Sequence, residues 1–374
     1  MGWRVPVARP DLGPAEQDAV AAVMQSGWVT QGARVRELEA GFARLCGTAA
    51  AVATNTGTAA LHVALVALGV RAGDEVVTTP LSCIASANAI VMAGARPVFA
   101  DVDPETYNVR AATLEAALTP RARAILPVHL FGHPADMDPI VALARARRLA
   151  VVEDACQATG ARYRGRRVGA SGDVGCFSLY ANKIVTAVEG GMIVTDDTAL
   201  AARLAAVRNF GQRPGQHFVH AFFGGNAKMS DVHAAVGCVQ LGRIDEYITS
   251  RRRNVVELNA ALRGLDGLIA RLPAERSWAE SVYFGYHVLF RSAALRTRAE
   301  AALNDAGVET RPFFSHIPAE EPYRSLGYAA TDTPVAADLV ARGCYVSNAP
   351  DLSADDKQLV VDTLRAVARA EGLA

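Results

Sequence analysis

The sequence has no net charge, no long apolar run and no recognisable signal peptide, and each absence removes a class of protein. Its 38 basic and 38 acidic residues give a formal charge of zero, so no overall field attracts nucleic acid or an anionic membrane. No uninterrupted apolar run reaches membrane-spanning length, and the first residues lack the apolar core of a signal peptide. We therefore expect a cytoplasmic protein that binds neither nucleic acid nor a membrane.

Regularly spaced cysteines and a dinucleotide fingerprint are also missing. The six cysteines are scattered over 374 residues without a C-x-x-C pair or the spacing of metal ligands. A chain of this length does not need disulfides, so we interpret the cysteines as reduced thiols and expect no metal site. No G-x-G-x-x-G motif follows the first predicted strand, which disfavours a nicotinamide-dependent enzyme.

What is present indicates a globular protein with two domains. Apolar residues make up 51% of the chain and charged residues 20%, and the length exceeds one ordinary core. Strand-like apolar runs alternate with helix-like stretches, at 52–55, 74–79, 96–100, 124–130 and 149–152. This alternation predicts right-handed βαβ units and a mainly parallel sheet. From Ile244 a long helix leads into an α+β pattern, which predicts domains at 1–243 and 244–374.

The segment 151–195 contains most of the polar groups that suggest chemistry. These groups are Glu153, Asp154, Gln157, Ser178 and Lys183. The first three follow the apolar run at 149–152, and the carboxyl ends of strands are where open α/β sheets bind ligands. Ser178 lies in a second apolar run, and Lys183 follows that run. His129 also ends a predicted strand, where a structural role and a substrate contact are both open.

Lys183 differs from an ordinary surface lysine. Most lysines are solvated charges, but only three of the 38 basic residues here are lysines, and Lys183 follows a strand that looks buried. An amine removed from water is a usable nucleophile toward carbonyls and a Schiff-base partner for pyridoxal 5′-phosphate (PLP). That cofactor also needs a carboxylate beside its ring nitrogen, and Asp154 is the candidate.

A second candidate site begins the helix that follows 52–55. There Thr56-Gly57-Thr58 forms a small-residue turn that leaves backbone N–H groups free, which suits a cofactor phosphate. A helix start of this kind without a ligand is the more common case. The basic run Arg251-Arg252-Arg253 is interpreted as a solvated helix face, because no aromatic residues interleave with it.

Several segments together resemble a known family. They are NTGTAALHVAL, PVHLFGHPADMDPI, VVEDACQATGA, GDVGCFSLYANK and VEGGMIVTDD. In this order they resemble the sugar aminotransferase family named DegT/DnrJ/EryC1/StrS, which has the fold of aspartate aminotransferase (PLP fold type I). The resemblance covers about 28–311. It implies an α/β PLP-dependent transferase fold, with a mainly parallel seven-stranded sheet flanked by helices and a smaller α+β carboxyl-terminal domain.

The resemblance also implies roles for the candidate residues. Lys183 would hold the aldehyde of PLP as a Schiff base and move a proton between substrate and cofactor. Asp154 would pair with the ring nitrogen, and Gln157 would lie near the ring. The implied phosphate ligands are Gly57, Thr58, Ser178 and, from the neighbouring subunit of a homodimer with shared active sites, Asn226. Cys83 stands where the family commonly has an aromatic residue that stacks on the ring, which leaves that partner open.

The implied reaction is an amino-group transfer in two stages in amino-sugar biosynthesis. An amino acid, with glutamate as the expected donor, would aminate the cofactor, which would then aminate a nucleotide-linked 4-keto-6-deoxy sugar. A branch of the family that dehydrates sugars has histidine in place of the lysine, so Lys183 argues against that branch. Two alternatives stay open: an aminotransferase for keto-inositols that makes aminocyclitols, and a non-catalytic regulatory protein of the same fold. An intact Lys183 and Asp154, and the lack of a helix-turn-helix extension, disfavour the second.

Overall fold

The fold follows the alternating pattern of the sequence. A computed structural model describes residues 2–213, 215–216 and 218–373. In these residues the α-helices are α1 (Pro14–Ser26), α2 (Ala33–Cys46), α3 (Gly57–Ala67), α4 (Ala85–Met92), α5 (Ala111–Ala117), α6 (Met137–Arg147), α7 (Thr198–Arg208), α8 (Asp231–Gly242), α9 (Ile244–Ala261), α10 (Ala293–Asp305), α11 (Glu321–Ser325), α12 (Pro334–Arg342) and α13 (Ala354–Ala370). The strands are β1 (Ala50–Thr54), β2 (Glu75–Thr78), β3 (Leu81–Ser82), β4 (Arg96–Phe99), β5 (Ala122–Leu126), β6 (Ala150–Asp154), β7 (Arg162–Tyr163), β8 (Arg166–Arg167), β9 (Val174–Ser178), β10 (Gly191–Thr195), β11 (Ile269–Arg271), β12 (Ala279–Glu280), β13 (Tyr286–Phe290), β14 (Arg311–Pro312), β15 (Ser315–His316) and β16 (Gly343–Val346).

A seven-stranded sheet forms the centre of the molecule, in the order β1-β10-β9-β6-β5-β2-β4. Strands β9, β6, β5, β2 and β4 pair in parallel, and β10 runs antiparallel to both β9 and β1. Every residue of β2, β9 and β10 is buried, as expected where helices cover a sheet. The prediction of a mainly parallel seven-stranded sheet is confirmed.

A second sheet lies in the carboxyl-terminal part. Strands β11-β13-β16-β14 pair antiparallel, and α10, α12 and α13 pack nearby. The α+β pattern predicted for this region is therefore present. Val5 joins the hydrophobic cluster of this part and bridges to Val308, so the first residues of the chain pack here as well. The domain boundary between 243 and 244 stays a prediction, and we propose that α9 begins the smaller domain.

Some element boundaries differ from the prediction for clear local reasons. The strand predicted at 124–130 ends at Leu126, because Pro127 has no N–H to continue the ladder. A single 3₁₀ turn, Leu130–Gly132, follows it. The long helix α9 begins at Ile244 as predicted. None of the described helices is both long enough and apolar enough to span a bilayer.

Candidate active site

The carboxyl ends of β6 and β9 open into a cavity of about 220 Å³, which the start of α3 closes on one side. The cavity brings together six of the seven predicted site residues: Gly57, Thr58, Asp154, Gln157, Ser178 and Lys183. These residues come from segments far apart in sequence. Their convergence follows from the parallel sheet, in which neighbouring strands end at the same edge.

Asp154 is a buried carboxylate that lines the cavity. Its side chain is 4% exposed. One oxygen accepts the Ser86 hydroxyl at 2.6 Å, and the other accepts the Cys156 N–H at 3.1 Å. Within the described chain, no Lys, Arg or His nitrogen lies within 4.0 Å of this carboxylate. A buried negative charge that faces a cavity without a counter-ion suits a cationic ligand group, such as a protonated ring nitrogen.

Lys183 lies in the bend after β9 and is half-buried. Its N–H donates to the Tyr180 carbonyl at 2.9 Å, which fixes the local turn. Its Nζ lies 4.8 Å from the centre of the Phe284 ring, so the amine rests on an aromatic face that comes from the carboxyl-terminal part. No carboxylate in the described residues lies within 4.0 Å of Nζ. The amine is therefore free of ion pairing and open to a carbonyl ligand.

The start of α3 packs very closely against β9. Thr56 caps the helix by accepting the Ala59 N–H at 3.0 Å. A Cβ on Gly57 would lie 2.7 Å from the Ser178 Cβ and 3.1 Å from the Cys156 sulfur, so only glycine fits here. This approach puts the helix N-terminus and the Ser178 side chain on one wall of the cavity. Backbone N–H groups, a hydroxyl and the positive end of a helix together suit a phosphate.

Gln157 is held by the turn that follows β5. Its Oε1 accepts the Phe131 N–H at 2.9 Å, and the residue is buried. Phe131 has φ 53°, in the left-handed region that non-glycine residues seldom adopt. Gln157 is thus oriented by a neighbouring loop, and it lines the cavity from the side of β6.

Asn226 does not line this cavity. It lines an adjoining pocket of about 570 Å³, together with Asn55, His62 and the fully exposed Phe223. Asn226 lies close to α3 because the Asn55 N–H donates to the Ala227 carbonyl at 2.9 Å. Its predicted role required a neighbouring subunit, and that role stays a prediction.

Two cysteines line the cavity. Cys83 is exposed and Cys156 is half-buried. Burial, together with the nearby Asp154 carboxylate, raises the pKa of the Cys156 thiol well above its ordinary value, so this thiol is neutral. The 79–83 loop supplies no aromatic side chain to the cavity, and Cys83 stands where relatives commonly have an aromatic residue. Tyr180 is the aromatic side chain among the lining residues.

The sequence interpretation missed three residues that shape the site. Ser86 holds Asp154, Tyr180 lines the cavity, and Phe284 supports the Lys183 amine. Tyr180 could have been found from its position three residues before Lys183. No local pattern links Ser86 to Asp154 or Phe284 to Lys183, because these contacts span 68 and 101 positions in the chain.

Glu153 and His129, which flank the site, are structural. His129 is fully buried, and its Nδ1 accepts the Ala135 N–H, so its Nε2 carries the hydrogen and donates to Glu153 at 3.0 Å. The same carboxylate accepts the N–H groups of Gly169, Ser171 and Gly172. Burial opposes the charge of Glu153, but these hydrogen bonds outweigh it and lower the pKa of the carboxyl. Of the two roles considered for His129, a structural role and a substrate contact, the structure therefore supports the structural role.

The basic run on α9 is not uniformly solvated. Arg253 is exposed, but Arg251 is only 7% exposed, so the interpretation of the run as a solvated helix face is wrong for Arg251. One face of α9 contributes to the hydrophobic cluster of the carboxyl-terminal part, and the residues on that face are buried. Among the described residues, no group of three or more His, Cys, Asp or Glu side chains is arranged to hold a metal.

The lining of the cavity fits PLP. The close approach at Gly57 makes an anion cradle for a phosphate, the unpaired Asp154 suits a protonated ring nitrogen, and the unpaired Lys183 amine suits an aldehyde. A cavity of this size and composition accommodates one flat ring with one anionic group.

Comparisons with known proteins agree with this fit. The model of the DegT/DnrJ/EryC1/StrS aminotransferase family matches residues 10–365. GDP-perosamine synthase of Caulobacter vibrioides is 41% identical over 347 residues, which cover 92% of this chain and 91% of that protein. The aminotransferase TlmJ of Streptoalloteichus hindustanus superposes with a TM-score of 0.92 at 34% identity, covering 98% of this chain and 100% of TlmJ. The PLP form of Spr1654 of Streptococcus pneumoniae superposes with a TM-score of 0.93 at 25% identity, covering 99% of each chain.

These matches extend over nearly the whole chain, so they concern both the sheet that forms the cavity and the carboxyl-terminal part. They confirm the predictions of the fold, of catalysis by amino-group transfer and of PLP as the cofactor. This chain belongs to the DegT/DnrJ/EryC1/StrS aminotransferase family and is a PLP-dependent aminotransferase.

Proposed function

We propose that this aminotransferase moves an amino group from an amino acid, glutamate, to a nucleotide-linked 4-keto-6-deoxy sugar in amino-sugar biosynthesis. The observation that carries the proposal is the single cavity in which Lys183, Asp154 and the start of α3 converge. The choice of substrate is supported by the 41% identity to GDP-perosamine synthase, so a GDP-linked sugar is the first substrate to test. The donor and the carbon aminated are part of the proposal.

The proposed chemistry divides between the cofactor and the chain. When bound, PLP supplies an aldehyde that takes up an amine and a ring that withdraws electrons from the adjacent carbon. Lys183 would hold and release the proton that moves at this carbon, because its amine has no ion-pair partner and rests on Phe284. Asp154 would hold the positive ring nitrogen at the buried end of the cavity, with Ser86 fixing one carboxylate oxygen.

The remaining residues would orient the cofactor. Gly57 and Thr58 offer the first backbone N–H groups of α3, and the Ser178 hydroxyl lies on the same wall. Gln157, fixed by the Phe131 N–H, would limit the tilt of the ring. Together these contacts would bind one phosphate and one ring without any net positive charge on the whole protein.

We also propose that the enzyme is a homodimer with shared active sites. The support is the surface around Asn226, where Phe223 is 99% exposed and Met92 is 58% exposed. Large apolar side chains on an enzyme surface often mark a protein interface. Asn226 of each subunit would reach the phosphate in its partner's cavity. A cytoplasmic location is part of the proposal, supported by six free cysteines.

The proposed reaction is tested with purified, PLP-loaded protein and glutamate. Separate reactions receive a GDP-linked 4-keto-6-deoxy sugar, its dTDP-linked counterpart or a keto-inositol, and mass spectrometry detects the amino product while 2-oxoglutarate is quantified. We expect one amino sugar for each 2-oxoglutarate released. Turnover of the keto-inositol alone would replace this proposal with the aminocyclitol alternative.

The role of Lys183 has its own test. Borohydride treatment of the PLP-loaded enzyme, followed by peptide mapping, is expected to leave a pyridoxyl group on Lys183. Lys228 provides an internal control, because its Nζ is hydrogen-bonded to Asn209 outside the cavity. A pyridoxyl group on Lys228 or Lys357 in place of Lys183 would refute the assignment.

A further inference from the structure

Lys183 also lines a second, narrower pocket. This pocket lies between the amino-terminal segment 7–11, helix α9 and residues 349–350. Its free volume is about 30 Å³, enough for a group the size of one or two waters. A carboxylate group fits such a space, but a sugar ring or a nucleotide does not. The pocket and the cofactor cavity share Lys183 as a lining residue.

A buried arginine forms part of its wall. Arg251, on α9, is 7% exposed, and its Nη1 donates to the carbonyls of Phe284 and Asn348 at 3.0 and 2.9 Å. Its Nε has no hydrogen-bond partner, and no carboxylate of the described residues lies within 4.0 Å of the guanidinium. The Nε edge of a guanidinium is one that binds carboxylates with two parallel hydrogen bonds.

Burial makes this arginine an unusual cation. It lowers the pKa of Arg251 to about 10, with the Asp351 carboxylate opposing the shift, so the side chain still carries its charge at neutral pH. A buried charge without a counter-ion is unfavourable, and an incoming anion removes that cost. The next residue, Arg252, satisfies its charge with Glu275, and Arg253 is exposed to solvent. Of this basic run, Arg251 is the one that is both buried and without a carboxylate.

Two other polar atoms in the pocket wall also lack partners. They are the Tyr247 hydroxyl and the Asn182 Oδ1, and both are buried. The Arg251 Nε–H and the Tyr247 hydroxyl can donate hydrogen bonds to a carboxylate. The Asn182 amide oxygen can accept a hydrogen bond from an ammonium group. An α-amino acid has a carboxylate and an ammonium group on one carbon. Buried polar atoms are nearly always hydrogen-bonded, so these three atoms favour a small polar group in the pocket.

We propose that Arg251 binds the carboxylate of the amino-acid donor and thereby holds the donor's α carbon beside Lys183. The inference rests on the proposed function, because it requires an amino acid as donor. Arg251 would act only in the half-reaction in which the amino acid gives up its amino group. The sugar carries no carboxylate, so its amination does not use this contact.

The first test measures binding without turnover. Isothermal titration calorimetry of the PLP-loaded enzyme with glutarate, an unreactive dicarboxylate, is run on the wild type, Arg251→Gln and Arg251→Lys. We expect affinity to fall about 10- to 100-fold in Arg251→Gln and less in Arg251→Lys, as for the loss of a charge-assisted hydrogen bond. Arg253→Gln is the matched control on the same helix and should bind glutarate like the wild type.

The second test separates the two half-reactions. In single turnovers, Arg251→Gln should need a higher glutamate concentration to reach half of its maximal rate. The reaction of its pyridoxamine form with the keto-sugar should keep the wild-type rate and concentration dependence. Tyr247→Phe deletes only one hydroxyl and leaves the packing intact, so it gives a few-fold weaker glutarate binding even if Arg251→Gln does not fold.

The outcomes that overturn the inference are distinct. Wild-type glutarate affinity in folded Arg251→Gln refutes it. Equal slowing of both half-reactions, with a lower melting temperature and no effect of Tyr247→Phe on glutarate binding, would assign Arg251 to the structure alone. If the wild type aminates no keto-sugar but its glutarate binding still depends on Arg251, the proposed function fails and the carboxylate site stands.

Discussion

At the residue scale, two adjacent carboxylates on β6 have opposite surroundings. Successive side chains on a strand point to opposite faces, so Glu153 and Asp154 face different neighbours. Glu153 is satisfied by His129 and three backbone N–H groups, so it has little capacity left for a ligand. From the described residues the Asp154 carboxylate accepts two hydrogen bonds, and it lines the cavity. Of the two, Asp154 is therefore the group available to a cofactor.

This difference leads to a prediction for Asp154→Asn. The amide keeps the shape of the side chain and one acceptor oxygen, so we expect PLP to stay bound. Proton removal from the donor should slow by on the order of 10²-fold, because the positive ring nitrogen loses its anionic partner. Stopped-flow rates with glutamate deuterated at its α carbon would measure that step. Asp18→Asn, at an exposed position of α1, is the control, and an unchanged rate in Asp154→Asn would contradict the role.

Glu153→Gln should act on stability instead of on chemistry. The lowered pKa of Glu153 means that its ionised form stabilises the fold above the unfolded carboxyl value of about 4.3, and that this contribution is lost as pH falls through the folded pKa. We expect the variant to be less stable by roughly 1.5–3 kcal/mol at pH 7, because a charge-assisted hydrogen bond is lost.

Urea unfolding at a series of pH values measures this effect. The stability difference between the wild type and Glu153→Gln should shrink as the medium is made acidic, because the wild type is then protonated as well. Glu321→Gln, at an exposed position of α11, should show no difference at any pH. A difference that stayed constant down to strongly acidic pH would show that the Glu153 charge has no part in it.

At the scale of elements, the contact between α3 and β9 shapes the phosphate end of the cavity. Gly57 lets the first turn of α3 approach Ser178 to a distance that no side chain allows. The same contact turns the free N–H groups of the helix toward the ligand. A glycine in a helix ordinarily lowers its stability, so its presence at this position reflects the close approach.

Gly57→Ala should therefore weaken PLP binding. The new methyl would lie 2.7 Å from the Ser178 Cβ, so α3 must move away from β9, at a cost of about 1–3 kcal/mol. We expect a dissociation constant for PLP about tenfold or more above that of the wild type, measured by fluorescence titration of the apoenzyme. Gly242→Ala at the end of α8 has open space around its new methyl and should bind PLP normally. Equal affinities would show that α3 tolerates the shift.

The arrangement of the elements also explains which parts of the fold and of the site could be predicted from the sequence. The sheet, Lys183, Asp154 and the start of α3 were predictable because each is signalled by an apolar run with its adjoining turn. The partners of those residues were not, because Ser86 and Phe284 reach the site only through tertiary packing. The same reason applies to Arg251, since its burial depends on contacts with the distant Phe284 and Asn348 carbonyls. The end of β5 depended on a single residue, Pro127.

At the scale of the whole molecule, four exposed aromatic side chains lie in the segment between α7 and α8. Phe223 is 99% exposed and Phe222 is 42% exposed, and both lie next to the turn that carries Asn226. Such side chains gain most when another apolar surface covers them. The pocket beside Asn226 also contacts Thr58 at the start of α3. A dimer that buried this surface would bring each Asn226 near its partner's phosphate site.

Mixed dimers test this arrangement. Lys183→Ala should abolish activity, and Asn226→Ala should weaken PLP retention. In a heterodimer of the two variants, a shared-site arrangement combines both substitutions in one site and leaves the other site fully native.

The two variant proteins are mixed at low PLP, dissociated and allowed to reassociate. The mixture should therefore have activity above the average of the two parent proteins. If Asn226 served the cavity of its own subunit, every site with Lys183 would also carry the Asn226→Ala change, and mixing would give no gain. Asn259→Ala replaces Asn226→Ala in the control mixture, because Asn259 bonds within the carboxyl-terminal part, away from the cavity.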